Sequence, residues 1–297
     1  MTSAGLSARP EFSAAAKSRA ALQKVSEHVS EHWPARAFFG VLLAAIALAA
    51  TFAGGYWFIA ILAMGAVAAA REWHRMADGR VHAFERWITS VTIVAALLLL
   101  AGTHKGLWGF AILATGAFLA AGIGFRNGGS AAWHGFAALY IGVPALCLAA
   151  LRMKTAHGAW VILGLFVVIW TADTSALLLG RAIGGPKFVP SLSPNKTWAG
   201  TLGGLVVPAL AFGGYVAVMG GDWIRAGFLG MVLALAAEAG DLFESWMKRR
   251  AGRKNSGSLI PGHGGVLDRV DSTLFVAPLA AVLVFVLGLD LLFGAHP

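Results

Sequence analysis

Residues 158–180 read GAWVILGLFVVIWTADTSALLLG, a run of 23 residues whose only charged side chain is Asp173. A helix of that length rises about 35 Å. An apolar layer roughly 30 Å thick is crossed by such a helix with residues to spare. Eight further runs of similar character lie at 37–54, 56–70, 87–102, 106–124, 133–151, 199–219, 223–247 and 273–294. Backbone N–H and C=O groups cannot remain unpaired in hydrocarbon, so each run is expected to be a helix.

Composition agrees with lipid as the main solvent. The 297-residue chain is 58% hydrophobic and 12% charged, with a mean hydropathy of +0.73. A soluble domain carries about twice that charged share. The net charge of +9 comes without a basic stripe interleaved with aromatics, so it is read as loops facing an anionic membrane surface and not as a nucleic-acid site. The single Cys147 excludes an intrachain disulfide and a cysteine metal site. No cleavable signal is expected in the polar first 36 residues.

Lys and Arg are distributed unequally among the connections. Segments 1–36, 71–86, 125–132, 181–198 and 248–272 hold nineteen of the 23, and the alternate connections hold Lys105, Arg152, Lys154 and Arg225. The positive-inside rule places the first set in the cytoplasm. The expected architecture is an all-α, polytopic integral membrane protein of about nine transmembrane helices, N-terminus cytoplasmic and C-terminus outside. Residues 1–36 are expected to form a cytoplasmic segment, with an interfacial helix over 12–31 carrying Leu22, Val25 and Val29 beside Lys17, Arg19 and Lys24, a disordered tail being the alternative. Residues 37–155 form the N-terminal transmembrane helices and 156–297 the C-terminal catalytic region. Gly and Ala faces over 106–124 and 199–219 point to a homodimer.

Two cytoplasmic segments break the apolar pattern. Asp173 within a span costs at least a few kcal/mol unless it is paired or hydrated, so it marks a polar cavity. The connection after it carries Arg181, Lys187, Ser193, Lys196 and Thr197, donors suited to phosphate oxygens. In the second segment Glu238, Asp241, Ser245 and Lys248 share one helical face by spacings of three, four and three. Lys254-Asn255-Ser256 and Pro261-Gly262-His263-Gly264-Gly265 follow, then Asp268-Arg269-Val270-Asp271. Glycines let backbone N–H groups approach an anion. Asp268 and Asp271 open the last helix, where carboxylates are favoured. Asp241, Asp268 and Asp271 are therefore expected to converge. Oxygen ligands without cysteine suit a hard cation such as Mg²⁺. Carboxylates, Mg²⁺ and basic donors equip nucleotidyl or phosphoryl transfer. An ion path through Asp173, Glu238 and Asp241 is the alternative from a different class.

The run Ser245-Trp246-Met247-Lys248-Arg249, with Lys254, Pro261-Gly262-His263-Gly264-Gly265 and Asp268-Arg269-Val270-Asp271, closely resembles the signature of the phosphatidate cytidylyltransferases. Ala172-Asp173-Thr174 and Ser193-Pro194-Asn195-Lys196-Thr197 look like the same family, so the resemblance is dense over about 165–275. Asn255 stands where the family usually has Asp, and Trp198-Ala199 where an acidic residue often follows the Lys-Thr pair.

The resemblance implies attack of the phosphatidic acid phosphate on the α-phosphorus of CTP, giving CDP-diacylglycerol and pyrophosphate. It assigns chemistry to Asp241, Lys248, Asp268 and Asp271. Mg²⁺ is expected on Asp241, Asp268 and Asp271, with allowance for a second cation. Substrate contacts are expected from Asp173, Arg181, Ser193, Lys196, Thr197, Ser245, Arg249, Lys254, His263, Gly264, Gly265 and Arg269. CTP, phosphatidic acid and membrane lipid are the expected partners, nucleic acid is not, and the expected location is a bacterial inner membrane with the site facing the cytoplasm. The rival enzyme reading is a CTP-dependent lipid kinase of the polyprenol type; a paralogue without turnover is the third.

Overall fold

The computed structural model describes residues 38–78, 83–103, 106–253, 255–257, 259, 264–289 and 291–292. The expected helix over 12–31 and the predicted site residues Lys254 and His263 lie outside the described residues. Among the described residues nine α-helices follow one another: α1 (Phe38–Ala53), α2 (Gly55–Asp78), α3 (Ala83–Thr103), α4 (Gly106–Arg126), α5 (Ala131–Lys154), α6 (Gly158–Ala182), α7 (Trp198–Val218), α8 (Trp223–Arg250) and α9 (Leu267–Ala281). A π-helical turn, Val282–Val286, extends α9. Each of the nine apolar runs falls on one of these helices.

Seven of the described helices, α3 to α9 with its extension, are long and apolar enough to cross a membrane. The protein is therefore an integral membrane protein in which α1 is a shorter apolar helix and α2 ends in a charged stretch with Arg71, Glu72, Arg75 and Asp78. Leu107, Phe118 and Val218 are largely exposed, the surface expected of a protein solvated by lipid.

Helix starts follow local chemistry. Ser130 accepts from the Trp133 amide at the head of α5, Thr197 from Gly200 at the head of α7, and Asp222 from Ile224 and Arg225 at the head of α8. Each satisfies N–H groups that the helix itself leaves open. Helix α5 is apolar on all sides and is the centre of the bundle, touching α2, α3, α4, α6 and α9. The chain packs as an α3–α4–α5 group and an α6–α7–α8 group, and α9 joins them by resting on both α8 and α5.

Small residues set the closest approaches within the chain. Gly109, Gly116 and Gly124 of α4 face Leu146, Thr92 and His134, and Gly203 of α7 faces Leu179. Some of the glycines that pointed to a homodimer are thus met by helices of the same chain, whereas Gly122 and Gly214 face open space.

Helix α8 lies close against α9 at Gly240, where a Cβ would lie 2.5 Å from the carbonyl oxygen of Asp271. That contact sets Asp241, the next residue, beside the first turns of α9. Gly240→Ala is expected to destabilise the protein by about 1–3 kcal/mol through overpacking. A thermal unfolding scan in detergent checks this, and an unchanged midpoint would show slack between the two helices.

Candidate active site

A cavity of about 1250 Å³ opens among α1, α2, α5, α6, α8, α9 and the 183–197 connection. Its two ends differ in chemistry. One is lined by Asp173, Arg181, Lys196, Glu238, Asp241, Asp268, Arg269 and Asp271. The other is lined by apolar side chains of α1, α2, α5 and α6, including Leu43, Phe58, Leu62, Ile162 and Phe166.

The connection between α6 and α7 is folded back to deliver Lys196. Gly184 and Gly185 take positive φ values of 68° and 94°, a region open to glycine at little steric cost. Lys187 and Thr197 then form an antiparallel bridge, and the Phe188 amide donates to the Lys196 carbonyl at 2.9 Å. Phe188 packs edge-on against Trp198, ring centroids 4.7 Å apart. Thr197 caps α7 with its side chain and lines the cavity, as does Ser193.

Two lysine–carboxylate clusters organise the polar end. The Lys196 ammonium is 2.7 Å from Glu238 Oε1 and 2.6 Å from Asp241 Oδ2. Burial lowers its pKa, but the charges of Asp241 and Glu238 and their hydrogen bonds outweigh that and hold it above its ordinary 10.5. The Lys248 ammonium sits 2.5 Å from Glu244 Oε2 and donates to Asp268 Oδ1 at 2.9 Å. Glu244 is fully buried beside this ammonium.

Asp173 and Asp271 lie within electrostatic reach of each other and of Asp241, and Asp173 is also near Lys196 and Arg269. Asp271 Oδ1 accepts from the Ser272 amide at 2.7 Å. Asp268 is already engaged: it accepts from Lys248, from the Ser256 amide and from the Gly265 amide. The glycine segment therefore directs the Gly265 amide at a carboxylate of the protein itself. Gly264, with φ of 84°, turns the chain into this arrangement.

The other predicted residues are distributed unevenly. Arg181 and Arg269 reach the cavity wall. Ser245 is half-buried on α8, away from the lining. Arg249 is exposed and donates to the Leu192 carbonyl at 3.5 Å, linking the end of α8 to the 183–197 connection. Sequence reasoning placed Glu238 on the right helical face without a place in the site, and it passed over Glu244 and Glu72.

The donor set suits a hard cation. Asp173, Asp241 and Asp271 offer only oxygen, and among the described residues no cysteine or histidine lines the cavity. Among the described residues no three Asp, Glu, His or Cys side chains are grouped so as to hold a metal ion by themselves. Magnesium usually completes its shell with water and substrate phosphate oxygens, which this arrangement permits. Asp268 reaches a cation only by exchanging one of its present donors.

The family model described as "Cytidylyltransferase family" matches residues 34–287. A phosphatidate cytidylyltransferase of Brucella abortus biovar 1 (strain 9-941) is 36% identical over 247 residues, which is 82% of this chain and 90% of that protein. The protein of the same name from Brucella suis biovar 1 (strain 1330) shows the same identity and coverage. One from Staphylococcus aureus (strain COL) is 41% identical over 148 residues, 48% of this chain and 55% of that protein. The match runs through the cavity-lining helices and the connection bearing Lys196, and on that basis the chain belongs to the cytidylyltransferase family.

Proposed function

We propose that this chain is a phosphatidate cytidylyltransferase, transferring CMP from CTP to phosphatidic acid to give CDP-diacylglycerol and pyrophosphate. The observation that carries this reading is the two-ended cavity. A carboxylate and Lys–Arg end suits a triphosphate with its cation, and it is continuous with an apolar end suited to acyl chains. A soluble nucleotide and a two-chain lipid can meet there without the lipid leaving the membrane.

In the step itself a phosphate oxygen of phosphatidic acid attacks the α-phosphorus of CTP. The bond from that phosphorus to the β-phosphate bridging oxygen breaks, and pyrophosphate leaves with the electron pair. The nucleophile is already an anion, so no general base and no covalent enzyme intermediate is needed. The protein's task is to bring two repelling anions together and stabilise the charge that moves to the leaving group.

Lys196, with Arg181 and Arg269 on the same wall, would meet phosphate oxygens. Lys248 holds Asp268 and so steadies the first turn of α9. Asp241 and Asp271, with Asp173 beside them, would hold Mg²⁺, which when bound neutralises phosphate charge. The excess of Lys and Arg on the connections at this end supports a cytoplasmic site, where CTP is available, and the bacterial relatives support an inner membrane.

Purified protein in mixed micelles, supplied with CTP and either phosphatidic acid or a polyprenol, tests the reading by mass spectrometry of the lipids. CDP-diacylglycerol formed only with phosphatidic acid is expected. Polyprenyl phosphate as the product would overturn it.

A further inference from the structure

Glu72 lies in α2, far in sequence from every residue of the site, yet its carboxyl group is buried against the catalytic loop, with 3% of the residue exposed. Oε1 accepts from the Val266 amide at 3.0 Å. Oε2 accepts from the Leu267 amide at 2.8 Å and from Ser256 Oγ at 3.3 Å. Helix α9 begins at Leu267, and its own N-cap position, Val266, supplies no side-chain cap. The first turn of α9 is therefore capped by a carboxyl group 195 residues earlier in the chain. That placement satisfies open amides and puts a carboxyl at the favourable end of the helix dipole.

The surrounding backbone is shaped to this group. A Cβ at Gly257 would lie 2.5 Å from Glu72 Oε1, and one at Gly265 would press on Oε2 and on Ser256. A buried carboxyl is costly unless donors surround it, so a purely packing position here would be served better by an apolar residue. Its neighbours Ala69, Ala70 and Trp73 are buried and apolar. Glu72 is not part of the cavity wall, so it acts on substrate only through other groups.

Those groups are identifiable. Ser256 divides its bonds, giving its hydroxyl to Glu72 and its amide to Asp268. Gly265 donates to Asp268, and Asp268 in turn holds Lys248. Asp271 follows within the same helical turn and faces Asp241.

We propose that Glu72 is a positioning residue of the transfer reaction: by capping α9 and gripping Ser256, it fixes where Asp268, Lys248 and Asp271 stand. The proposal rests on the cytidylyltransferase reading. It also makes a statement about the loop that holds without any substrate.

Glu72→Gln and Glu72→Ala test it, each purified in detergent and assayed for kcat, for KM toward CTP and phosphatidic acid, and for unfolding midpoint. Amide hydrogen exchange over 264–272 is measured alongside. Misplacement of reacting groups by about 1 Å costs roughly 100-fold in rate. Glu72→Ala is accordingly expected to lower kcat ~100-fold and Glu72→Gln, which keeps one carbonyl acceptor, ~10-fold, with both KM values within about threefold. Exchange at Val266 and Leu267 should accelerate in both variants, while α3 and α4 stay protected.

A kcat within twofold of wild type in Glu72→Gln and Glu72→Ala overturns the proposal. So does a lowered midpoint with unchanged kcat per folded molecule, or unchanged exchange at the two amides in Glu72→Gln. Should Glu72→Ala fail to fold, Glu72→Gln alone decides. Wild-type protein that forms no CDP-diacylglycerol overturns the reaction reading instead, and exchange still reports whether the cap exists.

Discussion

Asp241→Asn is expected to lower CMP transfer by about 1000-fold or more, because it removes a carboxylate that would hold the Mg²⁺ balancing the phosphate charge. Its effect on stability should run the other way. Asp241 stands close to Asp173 and Asp271, and like charges so placed repel. The lost ion pair with Lys196 offsets this only in part, since Lys196 keeps Glu238 at 2.7 Å and Asp241 is already 38% exposed. The unfolding midpoint of Asp241→Asn should therefore equal or exceed that of wild type while turnover is lost. Full turnover in this variant would remove Asp241 from the chemistry. Lost turnover with a collapsed midpoint would make its role structural.

Lys196→Ala is the second large effect. It leaves Glu238 and Asp241 without their shared cation, beside two further carboxylates, and so presents an incoming triphosphate with an acidic wall. A fall in kcat/KM for CTP of roughly 100–1000-fold is expected, most of it in KM, since truncating one partner of a buried charge pair at a binding surface costs about 2–5 kcal/mol. An unchanged KM for CTP would place the nucleotide elsewhere. The pH dependence gives a separate check. Lys196 has a folded pKa raised above its ordinary 10.5, so its stabilising contribution is complete below that value and is lost only as pH climbs through the higher folded value. Wild-type turnover should show no lysine ionisation from neutral pH up to about pH 10. A basic limb near neutrality that vanishes in Lys196→Arg would contradict the paired geometry.

The fold was legible because lipid imposes a simple rule. A run without charges long enough to span must satisfy its backbone internally, and each such run is a helix here. The ends were harder to read. The last apolar run begins at 273, whereas α9 begins at Leu267 and carries Asp268 and Asp271 in its first turns. Polar residues there looked like a boundary, although they point into a cavity and not at lipid. Helix α2 likewise continues to Asp78, well beyond the apolar stretch that ends at 70.

The site was legible in its residue types and less so in its partnerships. Asp241, Asp271, Asp173, Arg181, Lys196 and Arg269 do reach one cavity wall. The pairing of Lys196 with Asp241 spans 45 residues and has no local signal. The glycine segment was expected to present amides to a substrate anion, whereas the Gly265 amide goes to Asp268 and the next two amides go to Glu72. Spacing alone shows that such a loop suits an anion; it does not show whose anion occupies it. Nothing near Glu72 in sequence distinguishes it from other charged residues at a helix end.

The central claim is that the α-phosphorus of CTP is the atom attacked by phosphatidic acid. Purified protein in mixed micelles with phosphatidic acid, given CTP labelled separately in the α- and γ-phosphates, tests it most directly. α-Label is expected in the lipid fraction and γ-label in released pyrophosphate, in equal amounts. Lipid carrying the γ-label, with the α-label left in CDP, would contradict it and make the protein a kinase.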